Sequence, residues 1–185
     1  MTYDKESGRA KQGHDFEKYM QRMLSAKLNV DCVRIVTIKQ LIDAFCGKSS
    51  SRQLFSSFIP SLDERYGGIL LYSNGRRFAR LSCKSVKNGT TITATHDHVE
   101  SFNKDGDDTY YVFAIVNDDG EPMGDVCMLH SKQFKRIWNL NTTETSTFIG
   151  MQELILSGDC IFGLSGIISE LERSARRAAL YEDNR

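Results

Sequence analysis

Proline is scarce in this 185-residue chain, which holds only 2, and that excludes a collagen or a proline-rich linker. Long apolar runs are missing as well. No stretch approaches the ~20 apolar residues of a membrane-crossing helix. The opening Met1-Thr2-Tyr3-Asp4-Lys5-Glu6 is polar and mixed in charge, unlike a signal peptide. The 5 cysteines are odd in number and form no Cys-x-x-Cys pair, so a zinc site is not expected. Reduced thiols in an intracellular compartment, cytoplasmic or nuclear in type, are the expectation, with no membrane partner. What is present suits one globular domain: 40% hydrophobic and 26% charged residues, in a length that buries a substantial core.

Net charge is also absent, with 24 Lys and Arg against 24 Asp and Glu. The balance hides an asymmetry. Residues 1–90 carry 16 basic and 8 acidic side chains, and residues 91–185 carry 8 basic and 16 acidic ones. A basic half of this kind suggests a face for a polyanion.

Hydrophobic periodicity outlines the elements. Residues 1–12 lack it and are expected as a flexible arm bearing Lys5, Arg9 and Lys11, ahead of a single domain over 13–185. Phe16, Tyr19, Met20, Met23, Leu24 and Leu28 recur at helical spacing and predict a helix over 14–28. Residues 30–38 alternate as a strand, and short helices are expected over 39–45 and 51–58. The clearest local signal is a hairpin: strands over 68–72 and 78–86 around Asn74-Gly75, a pair that tolerates the positive φ of a two-residue turn. A third short strand is expected over 90–94, a helix over 95–103 capped by Thr95, strands over 110–116 and 125–129, and helices over 131–138 and 170–181. The order predicts an α/β (α+β) domain with a central mixed β-sheet flanked by helices.

Along the second hairpin strand Ala79, Leu81 and Cys83 share one apolar face, while Arg80, Ser82 and Lys84 share the other. With Arg76, Arg77 and Lys87 nearby, this polar face is where a phosphate backbone is expected to lie. Other chemistry-bearing patterns reduce to structure. His96-Asp97-His98 suits a helix start, and residues two apart on a helix do not face one another. Cys83 is expected as a core thiol and Trp138 as a core ring. Gly47-Lys48-Ser49 lacks the upstream glycine of a phosphate-binding loop, Gly163-Leu164-Ser165-Gly166 lacks nucleophile-elbow spacing, and the runs Asp105-Gly106-Asp107-Asp108 and Asp118-Asp119-Gly120 are expected as turns.

The stretch from Gly68 through Asn74-Gly75 to Ser82-Cys83-Lys84 resembles the core of the PD-(D/E)XK nuclease superfamily, nearest to archaeal-type Holliday junction resolvases. That family carries an Asp at the start of one strand and Glu-x-Lys on the next, with a glycine and a glutamate on an upstream helix. Gly13-His14-Asp15-Phe16-Glu17 matches the upstream pattern. The resemblance implies a restriction-endonuclease-like fold, a nucleic-acid partner (DNA), a homodimer, and catalytic roles for Glu17 and Lys84. Here the family's Asp falls on Gly68 and its Glu on Ser82, so two of the carboxylates that would hold Mg²⁺ are missing. Asp63, or Glu64 next to it, is a candidate replacement.

Three readings follow. The first is a nucleic-acid-binding protein of nuclease fold with a lost or altered metal site and no resident metal, contacting phosphates through Lys11, Arg76, Arg77, Arg80, Lys84 and Lys87. On this reading the double change Gly68→Asp with Ser82→Glu would restore the carboxylates. The second is a Mg²⁺-dependent endonuclease using Glu17, Asp63 and Lys84. The third is a protein-interaction module that reuses the fold.

Overall fold

The computed structural model describes residues 3–28, 34–37, 68–73, 76–86, 90–94, 96–102, 108–142, 148–157 and 159–180. Within them the chain runs α1 (Tyr3–Lys27), β1 (Arg34–Thr37), β2 (Ile69–Ser73), β3 (Arg76–Val86), β4 (Thr91–Thr93), α2 (His96–Phe102), β5 (Asp108–Ile115), β6 (Cys127–His130), α3 (Ser131–Asn141), β7 (Phe148–Gly150), α4 (Met151–Ser157), β8 (Ile161–Phe162) and α5 (Gly163–Leu180). Six strands form one mixed sheet in the order β1-β2-β3-β5-β6-β8. The first three make an antiparallel meander, β5 lies parallel to β3, and β6 and β8 return antiparallel.

The predicted hairpin is present. Ser73 pairs with Arg76 and Ile69 with Leu81, leaving two residues for the connection. The register slips once. Tyr72 faces Arg77 and Leu71 faces Ala79, so Phe78 is an extra residue on β3. Such a bulge turns successive side chains the same way, and Phe78 and Ala79 both enter the same core.

Alternation along β5 explains why the sheet has helices on both faces. Tyr110, Val112 and Ala114 join Phe16, Met20 and Leu24 of α1 and Ile167, Leu171 and Ala175 of α5 in one core. Tyr111 and Phe113 join Val99 and Phe102 of α2, Phe134, Ile137 and Trp138 of α3, and Leu154 of α4 in the other. A strand buried on both faces is the usual environment of a parallel neighbour in a covered sheet. Residues spaced three and four apart on α1 and α5 supply the stripes that close the first face. On the second face His130 caps α3, its Nδ1 accepting from the Lys132 N–H at 3.2 Å. The far end closes where the Thr142 amide and hydroxyl both donate to the Trp138 carbonyl.

Several expectations change. Residues 3–12, expected without periodic structure, are helical and continuous with the rest of α1. The short strand after β3 leaves the main sheet and pairs with β7 in a two-stranded one. The last helix begins at Gly163, well before residue 170, because its buried stripe starts at Ile167. Gly163 takes a φ of +72°, which favours glycine, and its N–H donates to the Val126 carbonyl at 2.9 Å, turning β8 into α5. The short helices expected over 39–45 and 51–58 lie outside the described residues. No helix among the described residues is long and apolar enough to cross a membrane.

Candidate functional site

The strand β3 continues past its partner. Its pairing with β2 ends at Ile69 opposite Leu81, while β5 accompanies it to Val86 opposite Ile115. Among the described residues Cys83, Lys84 and Ser85 therefore lie where the sheet narrows, and α1 packs on this strand. Glu17 comes off α1 one residue after the buried Phe16. The fold brings Glu17 and Lys84 close enough for each charge to act on the other.

The electrostatics of this pair are set by burial first. Burial pushes Lys84 down to about 8, with Cys83 and the Glu17 carboxylate acting in the opposite direction. Burial likewise raises Glu17 above the ordinary carboxylate range, with Lys84 opposing. Cys83 is raised well above the usual thiol value by burial and by Glu17. It packs against the α1 core, so it is a neutral core thiol as expected. At neutral pH the group that remains cationic here is Lys84, held half-buried beside a carboxylate. Perturbed ionisable groups gathered in one place mark functional sites more often than chance does.

The two positions where the resembled family carries carboxylates can be placed. Extending the β2–β3 register by one step sets Gly68 opposite Ser82. Gly68 is buried and takes a φ of +143°, a backbone conformation that side chains rarely adopt. Ser82 is 2% exposed and shares a hydrogen bond of 3.3 Å with His98 Nε2 of α2. Neither is a vacant ligand position. Among the described residues no group of three or more His, Cys, Asp or Glu is arranged to hold a metal ion. The described residues therefore offer no ligand set for a Mg²⁺ ion.

The polar face of β3 is not the open surface the alternation suggested. Arg80 is 1% exposed, with its guanidinium carbon 4.9 Å from the centre of the Phe102 ring. The reason is the cover supplied by α2 and α3. His98 stacks on Phe102, Phe102 leans on Tyr111, and Tyr111 stacks on Phe134 at 3.8 Å between ring centres. Arg80 is a core cation and has no route to a phosphate at the surface. Arg77 is half-buried on β3. Lys11 lies on α1 and Arg76 on β3, with side chains outside the described set, and Asp63, Glu64 and Lys87 lie outside the described residues altogether.

His96 and His98 diverge, as residues two apart on a helix must. His98 reaches Ser82, and His96 Nδ1 accepts from the Trp138 indole N–H at 3.3 Å. Together they tie α2 to the sheet and to α3. A second polar cluster went unnoticed in the sequence, because its members lie far apart in the chain. At the opening of β5, Asp108 accepts from Ser174 and, at 2.8 Å, from Arg177, and Tyr110 donates to Glu170 at 3.3 Å. Burial pushes Asp108 up, but the hydrogen bonds from Ser174 and Arg177 outweigh it and hold the carboxyl below its ordinary value. These groups satisfy one another and fasten α5 to the sheet.

No protein-family model matches the chain, and no curated protein matches it.

Proposed function

We propose that this chain is a nucleic-acid-binding protein with the fold of the PD-(D/E)XK nucleases, similar to archaeal-type Holliday junction resolvases, in which the metal-dependent phosphodiester chemistry is absent. The observation that carries the proposal is that α1 packs on β3 and that Glu17 and Lys84 each act on the other's charge there. The resemblance names those two residues from separate parts of the chain. Strand order supports the same reading: an antiparallel meander β1-β2-β3, a crossover through β4 and α2, and a strand β5 parallel to β3.

Lys84 supplies a positive charge at the narrowed end of the sheet, suited to one phosphate oxygen as a point charge. Phosphate contacts of this kind give affinity and register with little reading of bases. The preferred partner on this proposal is DNA, bound by a homodimer in a reducing intracellular compartment. Gly68 and Ser82 leave no carboxylate pair beside Lys84 to hold Mg²⁺, so binding is expected without cleavage.

The test is to titrate labelled duplex and four-way-junction DNA with the full chain and to incubate both with Mg²⁺ or Mn²⁺. Salt-dependent binding with intact DNA supports the proposal. Metal-dependent cleavage abolished by Asp63→Ala would replace it with a working nuclease, and no binding to any nucleic acid would leave the protein-interaction reading.

A further inference from the structure

The connection between β5 and β6 is a closed corner. Val116 bridges Pro122, the Met123 N–H donates to the Ile115 carbonyl at 2.8 Å, and the Asn117 N–H donates to the Glu121 carbonyl at 2.9 Å. The Asn117 side chain locks the interior, its Oδ1 accepting from the Asp119 amide at 3.0 Å and the Glu121 amide at 2.9 Å. Gly120, whose N–H donates to the Asn117 carbonyl at 3.1 Å, sits at the tip with a φ of +78°.

That tip touches α1. A Cβ on Gly120 would stand 2.6 Å from Asp15 Cβ, 2.7 Å from the Asp15 carbonyl carbon and 2.7 Å from the Phe16 nitrogen. Two of those three atoms are helix backbone, which cannot swing aside as a flexible side chain can. They belong to the residues just before Glu17. The corner also grows from the end of β5 that accompanies Lys84, since Lys84 pairs with Phe113. One rigid piece thus joins the strand beside Lys84 to the helix backbone carrying Glu17.

We propose that Gly120 is a positioning residue: the hydrogen-bonded corner at 116–122 abuts the α1 backbone at Asp15 and Phe16 and so sets Glu17 against Lys84. The inference rests on reading Glu17 and Lys84 as the functional pair. Gly120 touches neither group and acts only through the helix. Any residue larger than glycine pushes α1 away, and loosening the corner lets it drift.

The test measures the coupling between the two groups, which general loss of stability does not reproduce. Lysine side chains of the full chain are labelled with ¹³C and Lys84 is titrated by NMR, with and without Glu17→Gln. In the parent, Glu17→Gln lowers the Lys84 pKa, because the carboxylate supports the ammonium. In a Gly120→Ala background that shift falls to about half or less, the deficit being the lost interaction. Asn117→Ala, which adds no Cβ at the contact, gives a smaller loss in the same direction and serves if Gly120→Ala does not fold. An undiminished shift in the folded variants overturns the inference, as does a parent in which Glu17→Gln leaves Lys84 unmoved. The outcome is separable from that of the DNA titration: coupling that depends on Gly120 stands even if the chain binds no nucleic acid.

Discussion

Glu17 on α1 and Lys84 on β3 each act on the other's charge where the helix packs on the sheet, and burial shifts each toward its neutral form. A half-buried lysine brought down to about 8 is a stability liability at neutral pH, because the folded chain carries a charge that its surroundings disfavour.

Replacing that charge should therefore stabilise the fold. Lys84→Met keeps the length of the side chain and removes the ammonium. From the depression of the Lys84 value, discounted for its remaining contact with water, the gain at pH 7 is about 2 kcal/mol. The sign follows from proton linkage. Between about 8 and the ordinary 10.5 the unfolded chain holds a proton that the folded chain has shed, so the parent gains stability as pH rises through that window. The variant lacks this rise, and its advantage should vanish near the upper limit. Denaturant unfolding at the two ends of the window checks it. Equal destabilisation by Lys84→Met at both ends would identify Lys84 as a paired structural cation.

Restoring the family's carboxylates should not restore cleavage. Gly68 takes a φ of +143°, and an aspartate forced into such a conformation costs on the order of 1–3 kcal/mol. Ser82→Glu would have to lodge a charge in a position that is 2% exposed and bonded to His98. The double change Gly68→Asp with Ser82→Glu is expected to lower the unfolding midpoint and to leave DNA uncut in Mg²⁺. A stable, metal-dependent nuclease from that pair would mean that the backbone at Gly68 relaxes and that the site decayed by side-chain loss alone.

Arg80 should behave as a core residue. Arg80→Ala removes a cation stacked on Phe102 and its buried aliphatic stem, a loss of about 2 kcal/mol or more. The folded variant should bind DNA as the parent does, with an unchanged salt dependence. A weakened affinity without a change in unfolding midpoint would place its guanidinium at the surface.

The sequence made some of this legible and hid the rest for physical reasons. The β2–β3 hairpin was readable because Asn74-Gly75 and the Ala79-Leu81-Cys83 alternation are local signals. Alternation also sorted Arg80 and Ser82 onto one face correctly. It could not say that α2 and α3 cover that face, since cover is a tertiary fact. The strands β7 and β8 are too short, at 3 and 2 residues, to show a period. Gly68 looked like a missing aspartate, because a letter carries no dihedral angle. Glu17 and Lys84 were singled out by resemblance to a motif, and no local pattern pairs them. The Gly120 contact with α1 left no trace beyond an Asp-Asp-Gly turn.

The most direct measurement is the salt dependence of DNA affinity for the parent and Lys84→Ala, followed by fluorescence anisotropy on a labelled four-way junction. The parent should lose affinity steeply as salt rises. Lys84→Ala should bind more weakly, with a slope shallower by about 0.9 on a double-logarithmic plot, the signature of one lost phosphate contact on duplex arms. The parent's affinity should also fall as pH rises through about 8, where Lys84 gives up its proton, while that of the variant stays level. Identical affinities and slopes for the two proteins, or no salt-dependent binding by the parent, would contradict a nucleic-acid site at Lys84.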